Sequence, residues 1–212
     1  MKTLIIKYTP RNERSRTKKL LDAFREEIKN SSIEELDLCL TAPEFFTPEI
    51  TTAYYERNMM GNPRPVIEHP ALENMLNLTS QLKSADVVVV AFPMFNFSLP
   101  AVVKAWFDSV LHVGETIDPG SGTYRGMMEG KRALILVAAG GFYSKGNGIG
   151  PHFGPEWEYA VSLATLEFKL MGYSEIEGVL AEGMAAGDKA LVRDNLNNAI
   201  HRTRKIANKW YI

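Results

Sequence analysis

The sequence lacks what several common kinds of protein need. Cys39 is the only cysteine among 212 residues, so no internal disulfide can form and zinc has no cysteine cluster. No metal site is expected. A lone cysteine is compatible with a reducing compartment. Fully apolar runs such as Val87 to Phe92 fall far short of the ~18 residues that cross a bilayer. Thr3 to Ile6, between Lys2 and Lys7, is too short for the apolar region of a secretory signal. A cytoplasmic protein with no membrane span is the expectation. Lys and Arg number 24 against 25 Asp and Glu, a net charge of −1, without the basic excess of a nucleic-acid binder. No G-x-G-x-x-G follows the first strand. Gly141-Phe142-Tyr143-Ser144-Lys145-Gly146 has the glycine spacing of a P-loop, but Asn147 stands where its lysine must be. No internal repeat or low-complexity tract occurs.

What is present suits a folded domain. Hydrophobic residues make up 45% and charged residues 23%, which excludes disorder over the whole length. A chain of this size buries roughly 70% of its unfolded surface and needs no metal or disulfide to hold a core. Lys2 to Tyr8, Asp86 to Phe92 and Arg132 to Ala138 have continuous apolar centres, as in strands covered on both faces. Ile33 to Leu38 alternates with acids, as in a strand nearer a sheet edge. Glu175 to Ala181 is a fifth strand.

Helices fall between the strands: Ser15 to Lys29, Ala71 to Ser84, Leu99 to Leu111, Trp157 to Met171 and Asp188 to Trp210. In Leu99 to Leu111 the apolar residues recur at helical spacing, and Pro100 suits the first turn. Gly172 is a C-terminal cap. Residues 41–70 are irregular, with Pro43, Pro48, Pro63 and Pro65 and a helix from about Pro48 to Met60. Strands separated by helices pair in parallel through right-handed crossovers. The expected fold is a three-layer α/β/α sandwich around a doubly wound, five-stranded parallel sheet of order 2-1-3-4-5. It is expected as one domain over residues 1–212, with an insertion around 41–70 that shapes a dimer contact or the substrate mouth.

In such a sheet ligands bind at the carboxyl ends of strands 1 and 3, where the strand order reverses, so the loops after strands 1, 3 and 4 should meet. The first runs from Thr9 through Pro10, Arg11, Asn12, Glu13 and Arg14 into Ser15-Arg16-Thr17. Hydroxyls and free N–H groups at a helix start, beside arginines, suit a phosphate. Ser15 equally suits an ordinary N-cap. The basic stretch Arg11, Arg14, Arg16, Lys18 and Lys19 is confined here and suits one small anion. The loop after strand 3, Pro93-Met94-Phe95-Asn96-Phe97-Ser98, offers apolar surface to something flat, or packs into the core. Asn96 between two aromatics wants a partner. After strand 4, Ala139, Gly140 and Gly141 permit close backbone approach or a tight turn. One ligand with a single phosphate and a planar polar ring matches these loops, and flavin mononucleotide fits that description.

These residues also carry a family resemblance. Pro93-Met94-Phe95-Asn96-Phe97, Lys104-Ala105-Trp106-Phe107-Asp108, Gly130-Lys131-Arg132, Gly140-Gly141, Ser15-Arg16-Thr17 and Gly183 to Gly187 resemble the FMN-dependent NADH-azoreductases, members of the flavodoxin-like NAD(P)H:quinone oxidoreductases. The resemblance implies a flavodoxin-like fold and a homodimer. It implies that Thr9, Ser15, Arg16 and Thr17 hold the FMN phosphate. Pro93, Met94, Phe95, Asn96 and Phe97 would line the ring, with the Asn96 backbone near N5. Ala139, Gly140 and Gly141 would approach N1 and O2. Phe95 departs from the family's Tyr or Trp. NADH or NADPH would donate, and quinones, azo or nitro-aromatic compounds would accept, in a two-electron ping-pong cycle.

Tyr143 and His152 are the candidate proton donors. His152, in a Gly/Pro-rich loop, equally suits a solvated residue. Lys104 and Asp108 read as a surface pair, and His69, His112 and His201 as incidental. The alternative is a non-enzymatic electron carrier of flavodoxin type or an accessory regulatory flavoprotein. A phosphoacceptor receiver domain would need a carboxylate where Ala91, Phe92 and Pro93 stand.

Overall fold

The computed structural model describes residues 1–28, 31–58, 70–118, 120, 123–144 and 153–211. Five parallel strands form one sheet: β1 (Lys2–Lys7), β2 (Ser32–Asp37), β3 (Val87–Pro93), β6 (Arg132–Ala138) and β7 (Glu175–Ala181). Their order, β2-β1-β3-β6-β7, is the expected 2-1-3-4-5. The register sets Ile5 beside Val89 and Val89 beside Leu134, so the three central strands are buried in line. A short antiparallel ribbon, β4 (Ile117–Asp118) with β5 (Arg125–Gly126), was not expected from the sequence. Two residues a side are too few to leave a periodic signature.

Alternation along the strands divides the core into two layers. Ile5, Val87, Val89, Leu134 and Leu136 face α1 (Arg16–Glu27) and α6 (Lys189–Trp210), where Leu20, Phe24, Leu196 and Trp210 meet them. Leu4, Ile6, Val88, Val90 and Ile135 face the other way. There they meet Leu78 and Leu82 of α3 (Glu73–Ser84), Trp106 and Phe107 of α4 (Ala101–Val110), and Phe168 of α5 (Ala160–Leu170).

Helix ends follow local chemistry. Ser15 caps α1 by accepting from Lys18 N at 3.1 Å, and Asp188 caps α6 by accepting from Ala190 N and Leu191 N. Gly172 ends α5 at φ +86°. In the insertion, α2 (Pro48–Asn58) starts at the predicted proline and buries Ile50 and Ala53 on Leu72 and Met75.

Three expectations need correction. Residues 12–14 form a separate 3-10 turn, and α1 ends at Glu27. Pro100 is the N-cap of α4, with extended ψ of 145°, rather than a residue of the first turn. Trp157 does not lie on the buried face of α5. It ends a 3-10 turn, Pro155–Trp157, and is 48% exposed. The Glu158 carboxylate accepts from Ala160 N and Val161 N and starts the helix beyond it.

Candidate active site

The loops after β1, β3 and β6 meet as the topology requires. Together with residues 184–185, which follow β7, they wall a cavity of about 640 Å³. One end is polar and basic: Arg11, Arg14, Ser15, Arg16, Thr17 and Lys19. The other is apolar: Pro93, Met94, Phe95, Ala138 and Ala139, with Met184 and Ala185 across from them.

At the basic end the chain turns through Asn12 at φ +48°, and Asn12 N and Ser15 N donate to Thr9 O and Asn12 O. Thr9 is buried behind this turn and does not line the cavity. Ser15 Oγ accepts the capping N–H, which leaves its own O–H free to donate. Thr17, in the same turn, is fully buried, and its Oγ1 has no hydrogen-bond partner among the described residues. An unpaired buried hydroxyl costs about 1–3 kcal/mol, so it marks a place where a partner belongs. Arg11, Arg14, Arg16 and Lys19 have no carboxylate partner among the described residues, whereas neighbouring Lys18 pairs with both Glu13 and Asp22. The helix N-terminus adds partial positive charge to the same spot.

The apolar end is shaped by a strained turn. Phe95 and Ser98 exchange N–H···O bonds at 3.0 and 2.9 Å around Asn96 at φ +48° and Phe97 at φ +69°. Two successive left-handed residues make a type I′ turn, for which Asn is suited and Phe is not. The turn is held from two sides: Met94 N donates to Ala138 O, and Tyr159 N donates to Phe97 O. It leaves Asn96 exposed, with its backbone N–H unbonded among the described residues. Phe97 turns from the cavity into an aromatic cluster with Tyr143, Phe153 and Trp157. Phe95 stays at the cavity, 45% exposed, with the Tyr8 ring edge-on at 6.0 Å.

After β6 the backbone is fixed through its carbonyls. Met184 N, Ala185 N and Gly183 N donate to Ala139 O, Gly140 O and Gly141 O. The N–H groups of Gly140 and Gly141 remain unbonded among the described residues. A Cβ on Gly140 would stand 3.3 Å from the Ala185 Cβ, so a side chain there would narrow the cavity. The Glu182 carboxylate pins the following residues, accepting from Tyr143 N at 2.7 Å and from Ser144 N at 2.9 Å. Gly141 does not line the cavity.

Tyr143 is buried, stacked on Phe153 at 5.6 Å, and does not line the cavity either. Burial, helped by the Glu158 and Glu182 charges, pushes its pKa up, so it keeps its proton at neutral pH. His152 and His69 lie outside the described residues. His112, read as incidental, lies away from the cavity; it is wholly buried, and neither ring nitrogen has a partner among the described residues. Lys104 pairs with Asp108 as expected, and also approaches Glu167 at 3.6 Å.

Sequence reasoning missed Met184, Ala185 and Glu182 as parts of this site. The stretch Gly183 to Gly187, already noted for its resemblance, was the available signal, and Gly183 at φ +72° makes the tight return of the chain there.

The chain matches the flavodoxin-like fold family over residues 1–205. It is 31% identical over 167 residues to an FMN-dependent NADH:quinone oxidoreductase of Albidiferax ferrireducens, covering 78% of this chain and 77% of that protein. It is 28% identical over 215 residues to FMN-dependent NAD(P)H:quinone oxidoreductase 1 of Pseudomonas aeruginosa, covering 96% and 97%. Among solved structures it superimposes on an FMN-dependent NADH-azoreductase from Bacillus anthracis, in complex with FMN, with a TM-score of 0.85. That pair is 25% identical and covers 100% of both chains.

Proposed function

The chain belongs to the flavodoxin-like family that includes FMN-dependent NADH:quinone oxidoreductases, and from that premise we propose that it is an FMN-dependent NAD(P)H oxidoreductase. Its acceptors are quinones and azo and nitro-aromatic compounds, reduced by two electrons in a ping-pong cycle. The observation that carries this reading is the single cavity with unlike ends. Among the described residues, one end holds a buried hydroxyl and cations without partners; the other is an apolar slot beside backbone N–H groups without acceptors.

Those residues fit FMN. When bound, FMN would supply the redox chemistry, namely hydride exchange with NADH or NADPH and two-electron reduction of the acceptor. Ser15, Arg16 and Thr17 hold its phosphate, with Thr9 shaping the turn behind them. Pro93, Met94 and Phe95 cover the ring, and the strained turn presents the Asn96 N–H to its polar edge, with Phe97 anchoring that turn. Ala139 and Gly140 would approach the far edge, with Gly141 behind them, and fixed N–H dipoles there favour negative charge without reorganising. Tyr143 keeps its proton at neutral pH but does not line the cavity, so the proton donor to the acceptor is not assigned among the described candidates.

A second copy of the chain completes the site. Phe95, Trp157 (48% exposed) and Tyr159 (55% exposed) form an apolar rim around the turn at residues 95–98. Exposed aromatics grouped around one turn are what a homodimer contact buries. The chain acts as one domain over residues 1–212, and the exposed thiol of Cys39 suits the reducing cytoplasm.

The test begins with an absorbance spectrum of the purified protein after addition of FMN. A colourless protein that takes up no FMN would overturn the reading. Stopped-flow bleaching by NADH against NADPH then identifies the donor. Initial rates against quinone, azo and nitro-aromatic acceptors should give parallel double-reciprocal lines. Bleaching without turnover on any acceptor would favour an electron carrier. Sedimentation should show a dimer that Trp157→Glu weakens.

A further inference from the structure

Glu182 stands one residue past the end of β7, and its carboxylate is committed to the loop after β6. Its Oε2 accepts from Tyr143 N at 2.7 Å and Ser144 N at 2.9 Å, and its Oε1 takes the Ser144 hydroxyl. Its own backbone is tied to α6, since Asn195 Nδ2 donates to Glu182 O at 3.2 Å. Among the described residues these donors, and no lysine or arginine, are the partners of the carboxylate. Bonds from N–H groups to a charged carboxylate are roughly twice as strong as those to a neutral acceptor.

The position of this clamp matters for the glycines before it. Ala139 N donates to Ala181 O at 2.9 Å, which fixes the start of the loop, and Glu182 fixes its end. Between the two, Ala139 O and Gly140 O accept from Met184 N and Ala185 N. In a planar trans peptide the N–H points opposite to the C=O of the same unit. Holding Ala139 O therefore aims the Gly140 N–H, and holding Gly140 O aims the Gly141 N–H. Glycine has no side chain to restrict these planes, so their direction depends on how both ends of the loop are held. Glu182 does not line the cavity, whereas Gly140 does, so the carboxylate acts through the loop.

Resting on the FMN reading, we propose that Glu182 is a positioning residue: by clamping residues 143–144 it aims the Gly140 and Gly141 N–H groups at the far edge of the flavin and raises the flavin's two-electron potential. Dipoles fixed in advance favour the negatively charged reduced ring over the neutral oxidised one. The charge of Glu182 acts in the opposite sense, because a carboxylate on this loop opposes negative charge on the ring. Reach and charge can be changed one at a time.

The experiment measures the midpoint potential of bound FMN against a reference dye, the Kd of oxidised FMN, and the melting of the flavin-free protein. Glu182→Asp keeps the charge and shortens the reach by one methylene. It should weaken reduced FMN about tenfold more than oxidised FMN, which lowers the potential by about 30 mV. Glu182→Gln keeps the reach and an acceptor oxygen and removes the charge, and its potential should equal or exceed that of the parent. Glu182→Ala should lie about 30 mV below Glu182→Gln, a comparison in which neither side carries the charge. Equal potentials in all four proteins, even with lower melting temperatures in the variants, would make the residue merely structural and overturn the proposal. So would a fall in Glu182→Gln as large as that in Glu182→Asp. A parent protein that takes up no FMN would instead sink the FMN reading.

Discussion

Replacing Thr17 with valine should move two quantities in opposite directions. The side chain is fully buried, and its Oγ1 has no partner among the described residues. Valine keeps the shape and β-branching, so helix propensity barely changes. In the flavin-free protein the substitution removes an unpaired buried hydroxyl, which costs about 1–3 kcal/mol. The variant should therefore be more stable by on the order of 1 kcal/mol, or ~2–4 °C in Tm for a chain of this size. With FMN present, the hydroxyl gains a charged acceptor, a bond that contributes ~1.5–3 kcal/mol. Its loss should weaken FMN by roughly tenfold to a hundredfold. Differential scanning fluorimetry with and without FMN reads both effects, since ligand stabilisation falls as Kd rises. Thr17→Ser keeps the hydroxyl and should keep most of the affinity. A valine variant that is less stable without flavin, yet binds FMN as the parent does, would refute the assignment of this hydroxyl to the phosphate.

Three further outcomes follow from named geometry. His112 is held down to about 4 from an ordinary 6.5 by burial and then by the Arg57 charge, with Glu115 opposing. The unfolded chain therefore takes up this proton first. Stability should be full above about pH 6.5 and fall by on the order of 3 kcal/mol as pH drops towards 4. Urea midpoints across that window should show the loss, and His112→Phe, which keeps an aromatic ring against Tyr54, should flatten it. A Cβ on Gly126 would stand 2.1 Å from Gly172 N, backbone that cannot swing aside, so Gly126→Ala should cost about 3 kcal/mol by denaturant titration. Gly187→Ala, with nothing within 4 Å, is the neutral control. Asn96→Ala puts a residue poorly suited to φ +48° into the strained turn and should cost ~1 kcal/mol, whereas Asn96→Gly should leave stability near that of the parent.

By itself the sequence determined the layout of the fold. Apolar runs such as Val87 to Phe92 report burial on both faces. Spacing in α4 reports one buried stripe, and Pro48, Gly172 and Asp188 mark element ends through local φ preferences and capping. Handedness rules then leave few ways to order five parallel strands, and the observed β2-β1-β3-β6-β7 is the expected one. That order also brings the loops after β1, β3 and β6 together, so most of the cavity could be named in advance.

Only tertiary structure decided which atoms in those loops are satisfied and which are not. Whether Thr17 Oγ1 finds a partner, whether both nitrogens of His112 are buried, and whether Phe97 faces the cavity or the Trp157 cluster depend on neighbours far along the chain. Lys189 and Arg193 meet Arg16 and Lys19 for the same reason: α1 and α6 pack on one face of the sheet although most of the chain separates them. Periodicity and propensity report what a segment prefers alone. Unpaired groups and shared cavity walls arise from pairs of segments, and they take shape only when the layers close.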